Sequence, residues 1–217
     1  MTRHSLHRWV LCALVCSFAV AAQAAPATVL DRYLSDLTTL RAEFSQVVSD
    51  GRGTEVQRAR GSFVIQRPGK FRWELTPEGN AQSPQLMVAD GRNLWFYDRD
   101  LEQVSVKAAA AALTATPASL LSGVGKPDEL FTVQAEGRRD GLDWVKLTPR
   151  RGDADFREAQ LAFSKGGSEL ARMVLKDKLG QTVRLDFSVS TRNAPVAEAE
   201  VQFSPPAGAD VIGTPVP

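Results

Sequence analysis

The hydrophobic pattern near the start of the chain predicts one amphipathic helix that ends at about Thr39. Thr28, with Asp31 three residues later, forms a plausible N-terminal capping pair for this helix. Beyond the helix, residues 41–48 favour a strand. The apolar positions of the helix recur at the spacing of a single helical face, and they are Leu30, Tyr33, Leu34 and Leu37.

From residue 59 onward, short runs of β-branched and aromatic residues alternate with turn signals, which is typical of strands. Pro68-Gly69 marks one turn, while Asp90-Gly91 and Asp140-Gly141 are the two-residue signal of a type I′ hairpin. About eleven strands joined by short turns predict a mainly β fold with helices (α+β), an antiparallel sheet of barrel or half-barrel type. The predicted strands cover residues 62–67, 70–75, 85–89, 92–97, 103–107, 131–137, 142–148, 156–164, 170–176, 182–190 and 197–203.

One segment interrupts the strands. Residues 108–113 are rich in alanine, which favours a helix. Thr116 followed by Pro117 is typical of the start of a second short helix, which we expect to end near Gly123. Two short apolar helices inserted into a sheet could be a plug packed into the core or a lid over the mouth of the sheet, and the pattern leaves both open.

Two of the predicted strands are apolar at consecutive positions. Because successive side chains of a strand point to opposite faces, both faces of these strands are apolar. This pattern favours an ordinary two-sided core, but one face could instead line a pocket for a hydrophobic ligand. The two runs are Leu86-Met87-Val88 and Leu94-Trp95-Phe96-Tyr97.

The first 24 residues have the three parts of a secretory signal peptide. Arg3 and Arg8 precede an apolar run that ends in Ala22-Gln23-Ala24, the small-x-small pattern of a cleavage site. The run has roughly 14 residues, fewer than the ~20 that a membrane-spanning helix needs. We therefore expect cleavage near Ala24 and an exported, periplasmic single domain of residues 25–217.

Cleavage at that position would remove both cysteines and both histidines of the chain. The mature protein would then contain no Cys-His nucleophile, no Ser-His-Asp triad and no histidine-based metal site. Leu11 precedes Cys12 and Val15 precedes Cys16, and neither residue is the small one that precedes an acylated cysteine in bacterial lipoproteins. We therefore expect a soluble protein without a lipid anchor.

The charge of the predicted mature chain is nearly balanced, with 24 basic against 25 acidic residues once Arg3 and Arg8 are removed. This balance gives no electrostatic reason to expect nucleic acid as a partner. Two pairs of carboxylates could in principle perform acid–base catalysis. Both pairs lie beside turn signals and arginines, so solvated loop charge is the favoured interpretation; the pairs are Asp98 with Asp100 and Asp153 with Asp155.

Several segments together resemble the outer-membrane lipoprotein carrier (LolA) family. They occur in the order of that family and span nearly the whole predicted mature chain. They are Phe44-Ser45-Gln46, Arg67-Pro68-Gly69-Lys70-Phe71-Arg72-Trp73-Glu74, Asp90-Gly91-Arg92-Asn93-Leu94-Trp95-Phe96-Tyr97-Asp98, Glu102-Gln103-Val104, Thr116-Pro117 with Leu120-Leu121, and Phe203-Ser204-Pro205-Pro206-Ala207-Gly208.

The resemblance implies an incomplete, strongly curved antiparallel β-barrel whose mouth is closed by lid helices, which would contain Pro117, Leu120 and Leu121. Members of the family act as periplasmic chaperones, not enzymes. They bind the acyl chains of triacylated lipoproteins released by an ATP-driven transporter in the inner membrane, and deliver them to a receptor lipoprotein on the outer membrane. The receptor shares the fold but carries a lipid anchor, so the absence of an acylation site favours the carrier. The resemblance implies no cofactor or metal, and we expect a monomer.

The same resemblance implies roles for individual residues. Arg67 matches an arginine whose guanidinium bonds to backbone groups of the lid helices, although its position alone favours a residue that caps a strand end before a turn. Phe71 matches an aromatic residue tied to cargo transfer, and Trp73 lies two residues later on the same strand face. Alternation cannot say which strand face is inward, so the remaining candidates for the cavity wall are Leu86, Val88, Leu94 and Phe96.

A lipid-sensing or adaptor protein on the same half-barrel is the alternative function. Proteins of that kind typically carry an additional domain. The predicted mature chain has about the length of one domain and leaves no room for a second.

Overall fold

The computed structural model describes residues 27–79, 83–113, 117–152, 154 and 156–217. The predicted signal peptide, Thr116, Asp153 and Asp155 lie outside these residues, as does the side chain of Pro117. The described residues form one twelve-stranded sheet with four short α-helices and two 3-10 helices.

The strands of the sheet follow one another along the chain almost as they lie in space. The order across the sheet is β12-β6-β5-β4-β3-β2-β1-β11-β10-β9-β8-β7, antiparallel except for the parallel pair β12–β6. The two edge strands do not pair with each other, so the barrel is incomplete, as predicted. The strands are β1 Thr39–Ser49, β2 Glu55–Gln66, β3 Lys70–Pro77, β4 Gln85–Asp90, β5 Asn93–Asp98, β6 Gln103–Ala108, β7 Phe131–Arg139, β8 Leu142–Pro149, β9 Phe156–Ser164, β10 Glu169–Asp177, β11 Thr182–Arg192 and β12 Asp210–Ile212.

The helices are short, so the sheet forms most of the structure. Helix α1 spans Val29–Ser35, α2 spans Ala109–Ala112, α3 spans Pro117–Ser122 and α4 spans Pro127–Leu130. The first three were predicted, whereas α4 was not. The 3-10 helices are Lys165–Gly167 and Glu198–Val201.

Helix α1 begins as the sequence predicts and ends earlier. The backbone N–H of Asp31 donates to Thr28 Oγ1 at 3.2 Å, and the backbone N–H of Thr28 donates to Asp31 Oδ2 at 2.7 Å, which forms a capping box. The helix ends at Ser35 instead of near Thr39, because β1 begins at Thr39, which pairs with Gln66 of β2. Pairing in the sheet therefore overrides the helical periodicity that reaches Leu37.

The two Asp-Gly turns differ from each other. Asp140 and Gly141 have φ values of +54° and +76°, as a type I′ turn requires, so this prediction is confirmed. In the other hairpin Asp90 is the last residue of β4, and only Gly91 has a positive φ, +97°. The type I′ prediction is wrong there, because the Asp90 carboxylate accepts the backbone N–H groups of Arg92 and Asn93 at 2.9 and 2.8 Å and fixes another turn.

The strand predicted for residues 197–203 is replaced by the 3-10 helix Glu198–Val201. Arg41 of β1 donates to both carboxylate oxygens of Glu200 at 2.5 and 2.6 Å, and Lys70 donates to Glu198 at 2.5 Å. The hydrogen bond from Arg41 lowers the pKa of Glu200 to about 2. Side-chain pairing thus holds this segment across the sheet, and the short strand β12, which was not predicted, follows it.

The sheet has an apolar core on each face. The inner face, which we define as the face that packs against α1, carries the larger core, with Leu30 and Tyr33 of α1 fully buried on it. The outer face carries a small core on β4–β6, where Phe203 packs on Trp95 and Tyr97 at ring-centroid distances of 5.6 and 6.1 Å. The predicted apolar character of both faces of β4 and β5 is therefore confirmed.

Gly61 of β2 allows Phe44 to lie flat on the inner face. A Cβ atom at Gly61 would lie 2.4 Å from Phe44 Cζ and 2.2 Å from the carbonyl oxygen of Glu74. We expect Gly61→Ala to lower the free energy of unfolding by about 1–3 kcal/mol, because the added methyl overpacks this contact. Urea denaturation of the mature protein measures the change.

Gly152→Ala is the matched control, since no atom lies within 4 Å of a Cβ atom placed there. It should change the free energy of unfolding by less than ~0.5 kcal/mol. Equal stability of the two variants would contradict the packing assigned to Phe44.

Candidate functional site: an apolar cavity beneath short helices

A cavity of about 660 Å³ lies between the inner face of the sheet and the segment that contains α2 and α3. Its wall is formed by strands from both halves of the sheet, β1–β5 on one side and β9–β11 on the other. All but two of its lining residues are apolar. They are Gln46, Phe63, Phe71, Trp73, Met87, Leu94, Ala111, Ala112, Leu113, Ala118, Leu121, Ala154, Phe156, Met173, Leu175, Asp177, Val183 and Leu185.

Aromatic side chains form one side of the cavity. Trp73 lies 4.9 Å from Phe63 and 4.5 Å from Phe44 between ring centroids, and Phe71 lies 6.5 Å from Phe63. Phe71 is fully buried and Trp73 is half-buried. These rings present a large, rigid apolar surface, which suits flexible hydrocarbon chains without demanding one shape.

Three of the six predicted wall residues line the cavity, namely Phe71, Trp73 and Leu94, and Leu121 of α3 lines it as well. Leu120 is buried in the inner core beside it, and Pro117 begins α3. Phe96 lies opposite Met87 in the pairing of β4 with β5, half-buried, and is not part of the cavity wall.

Leu86 and Val88 do not line the cavity. Both belong to the outer core with Trp95, because β4 turns Met87 inward and its two neighbours outward. The run Leu86-Met87-Val88 is apolar at all three positions, so alternation could not show which of these side chains face inward. The sequence interpretation chose Leu86 and Val88, which face outward. Met87 is the wall residue that the sequence interpretation missed on this strand.

The wall from the second half of the sheet was also missed. Each of its strands was predicted, but none of their apolar residues was assigned to a cavity. These residues can be assigned to the cavity wall only when the curvature of the sheet is known, because that curvature brings β9–β11 opposite β3–β5. The residues concerned are Phe156, Met173, Leu175, Val183 and Leu185.

Arg67, directly after β2, lies between helices α1 and α3. Its Nη1 donates to the carbonyl oxygens of Leu34 at 2.8 Å and Leu37 at 3.1 Å, at the C-terminal end of α1. The carbonyl of Leu34 also accepts the backbone N–H of Leu37 at 3.4 Å, and a guanidinium can bond to two carbonyls at once. Burial lowers the pKa of the Arg67 guanidinium.

The other side of the Arg67 guanidinium faces Gly123, at the end of α3. A Cβ atom at Gly123 would lie 2.5 Å from Arg67 Nε, so the absence of a side chain permits this approach. The turn after Arg67 adds a backbone contact, since the N–H of Gly69 donates to the carbonyl of Ser122 at 2.7 Å. Arg67 and its turn therefore contact both helices.

A second arginine holds the same end of α1. Arg192 of β11 donates to the carbonyl of Tyr33 at 2.9 Å and to Asp36 Oδ1 at 2.7 Å, and its Cζ lies 4.4 Å from the centroid of the Tyr33 ring. Burial raises the pKa of Tyr33 to about 12. Two arginines on opposite sides thus fix the end of α1 over the inner face.

The candidate carboxylates Asp98 and Asp100 stabilise loops. Asp98 Oδ1 accepts the backbone N–H groups of Asp100 and Leu101 at 3.0 and 3.2 Å, and Asp100 Oδ2 accepts that of Ser83 at 2.9 Å. Neither residue lines the cavity. Across the described part of the chain there is no group of three or more possible metal ligands, and no helix there is long and apolar enough to cross a membrane.

Gly123→Ala tests the contact between Arg67 and α3. We expect the added methyl to displace the guanidinium, so the amides of Gly69 and Val124 should exchange hydrogen faster than in the wild type. Residue-resolved hydrogen exchange by NMR provides the measurement. The backbone φ of +79° at Gly123 adds a cost of about 1–2 kcal/mol, which is independent of Arg67.

Gly137→Ala controls for that backbone cost. Gly137 has a φ of +75°, and no atom lies within 4 Å of a Cβ atom placed there. The Gly137→Ala variant should lose a similar amount of stability, but the amides of Gly69 and Val124 should exchange hydrogen no faster than in the wild type. Equal acceleration in both variants would show that the Arg67–Gly123 contact does not hold α3.

Comparison with known proteins places this geometry in a family. The model of the family "Outer membrane lipoprotein carrier protein LolA" matches residues 35–204. A protein of Dechloromonas aromatica named outer-membrane lipoprotein carrier protein is 42% identical over 184 residues, 85% of this chain and 86% of its own length. One of the same name from Methylococcus capsulatus is 40% identical over 202 residues, 93% and 94% of the two chains.

A solved structure supports the fold alone. An uncharacterized conserved protein from Thermus thermophilus superposes with a TM-score of 0.53 at 17% identity, covering 85% of this chain and 96% of its own. The family match covers the cavity wall, Arg67 and the helices α2 and α3. The chain belongs to the outer-membrane lipoprotein carrier family.

Proposed function

We propose that this protein is a periplasmic chaperone that binds the acyl chains of lipoproteins released from the inner membrane and delivers them to a receptor on the outer membrane. The observation that carries the proposal is the apolar cavity beneath α2 and α3 in a member of the lipoprotein carrier family. The secretory signal predicted in residues 1–24 supports export to the periplasm. An ATP-driven transporter would supply the cargo, and the carrier itself would perform no chemistry.

The size of the cavity indicates that cargo binding requires movement. About 660 Å³ is typical of a cleft that holds one drug-sized ligand. A triacylated lipoprotein brings three long chains, so the space must enlarge. The helices α2 and α3 are the elements suited to move, because each has fewer than seven residues and α2 has no side-chain cap.

Release of the cargo requires a free-energy contribution that opposes the burial of its acyl chains. Burial contributes about 0.8 kcal/mol per methylene, so full enclosure of one long chain would contribute roughly 10 kcal/mol and would hold the cargo too tightly. In our proposal, closure of the helices over the empty cavity is the opposing term, and Arg67 is its latch. The hydrogen bonds to Leu34 and Leu37 hold the guanidinium against Gly123. Opening of α3 would cost this contact and the hydrogen bond from the N–H of Gly69 to the carbonyl of Ser122, and closing would recover them.

A release assay tests the carrier function. Spheroplasts of a Gram-negative bacterium that express an acylated lipoprotein are incubated with the purified mature protein, and the supernatant is analysed for a soluble one-to-one complex. We expect the complex with the acylated lipoprotein and none with a variant whose acylated cysteine is replaced, because that variant has no hydrocarbon chain to bury in the apolar cavity. If folded protein releases no lipoprotein, the carrier function is wrong, and the lipid-sensing or adaptor function takes its place.

Arg67→Leu tests the latch. Because the substitution removes the guanidinium that Leu34 and Leu37 hold against Gly123 at the end of α3, it should favour the open, cargo-bound state. We expect the variant to load cargo normally and to transfer it to receptor-bearing outer-membrane vesicles about tenfold more slowly or worse. The measurement is the fraction of labelled lipoprotein that moves to the vesicles with time.

Arg60→Leu serves as the control from strand β2, since its side chain is 79% exposed and pairs only with Glu78 among the described residues. This variant should transfer cargo like the wild type. Transfer by Arg67→Leu at the rate of the control would show that Arg67 is not the latch.

A further inference from the structure

The two polar side chains of the cavity wall lie toward the same end of it. Gln46 is three residues from the end of β1, and Asp177 is the last residue of β10. The strand register places Phe71 and Leu94 toward the opposite end, level with Leu40 near the start of β1. The cavity is therefore polar at one end and apolar at the other, like an acyl chain with its ester.

Asp177 already has a structural task. Its Oδ1 accepts the backbone N–H groups of Leu179 at 2.8 Å and Gln181 at 2.7 Å, which closes the turn between β10 and β11. Such a turn is stabilised by the aspartate in the absence of any ligand. Asp177 therefore gives no indication of what the cavity binds.

Gln46 has no such task. It lies on the inner face of β1 between Phe44 and Val48, opposite Ala59 on one neighbouring strand and Leu185 on the other. Its half-buried side chain forms no hydrogen bond with any of the described residues. The amide atoms are not among the fully buried, unpaired polar atoms of the described residues, so water can reach them in the empty cavity. A chain that fills the cavity would displace that water, and a polar group of the ligand would then replace the lost hydrogen bonds.

We propose that the side-chain amide of Gln46 binds the carbonyl group that joins an acyl chain to its cargo. The NH₂ group would donate to an ester or amide carbonyl oxygen, and Oε1 would remain free to accept an amide N–H. Hydrocarbon chains would then extend from Gln46 toward Phe71 and Leu94 beneath the helices. The inference rests on the proposed carrier function and adds the group that sets how deep the chains enter.

The consequence is selectivity for acylated molecules over other hydrocarbons. Apolar walls bind any chain of suitable length, since burial depends on area and not on chemistry. A single hydrogen-bonding group at the polar end discriminates against a ligand that lacks the carbonyl, because the bound ligand displaces water from the amide and leaves it without a partner.

Two synthetic ligands that differ only at that group test the proposal. The first is a lipopeptide whose cysteine carries a glyceryl group with two ester-linked acyl chains, and the second is its analogue with two ether-linked alkyl chains of equal length. We expect the wild-type mature protein to bind the ester about three- to tenfold more tightly than the ether, the effect of one hydrogen bond. Displacement of a fluorescent long-chain probe measures both affinities.

Gln46→Leu should remove this preference and leave the affinity for the ether unchanged or higher. Gln46→Glu keeps the side-chain size but only accepts when ionised, so it should weaken ester binding further. Gln134→Leu is the matched control, because Gln134 is an exposed strand residue on β7 and should retain the preference. Thermal unfolding of each variant verifies that the fold is intact.

The outcomes separate this inference from the function on which it rests. If the wild type binds neither ligand, the proposed carrier function is wrong. If it binds both equally, or if Gln46→Leu keeps the wild-type preference for the ester, acyl chains still enter the cavity but Gln46 does not recognise their carbonyl group.

Discussion

Arg67 connects parts of the molecule that the sheet does not join. The open sheet leaves its two edge strands unpaired with each other, so its apolar inner face can be covered only by elements held there from outside the strand ladder. The guanidinium provides one such attachment, bonded to the end of α1 on one side and in contact with Gly123 after α3 on the other. The cavity exists because these helices cover the inner face without filling it.

Other parts of the molecule are fixed by side-chain contacts that do not involve α2 or α3. Arg192 fixes α1 from the opposite strand, and the pairs Arg41–Glu200 and Lys70–Glu198 hold the 3-10 helix Glu198–Val201 against the sheet. The outer core beneath Phe203 packs β4–β6 independently of the cavity. By contrast, α2 and α3 have four and six residues and α2 has no side-chain cap, which is typical of a segment that opens locally.

The sequence predicts the strands well because turn residues and β-branched runs act locally, as at Asp140-Gly141. It fails where long-range contacts decide, as at residues 197–203, where ion pairs to β1 and β3 impose a 3-10 helix. For the site, the resemblance to the family pointed to Phe71 and Trp73, which line the cavity, and to Arg67, which lies between α1 and α3. The choice of Leu86 and Val88 failed because a run of three apolar residues carries no information about which face is inward.

Quenching of tryptophan fluorescence by a lipopeptide with brominated acyl chains tests the central claim, that acyl chains occupy the inner cavity, most directly. Of the three tryptophans in the described residues, Trp73 lines the cavity, Trp95 lies in the outer core and Trp144 lies beneath the Arg139 guanidinium. Single-tryptophan variants of the mature protein, with phenylalanine at the other two positions, separate the signals. Strong quenching of Trp73 alone is the result our account predicts, whereas quenching of Trp95 or Trp144 without that of Trp73 would contradict it.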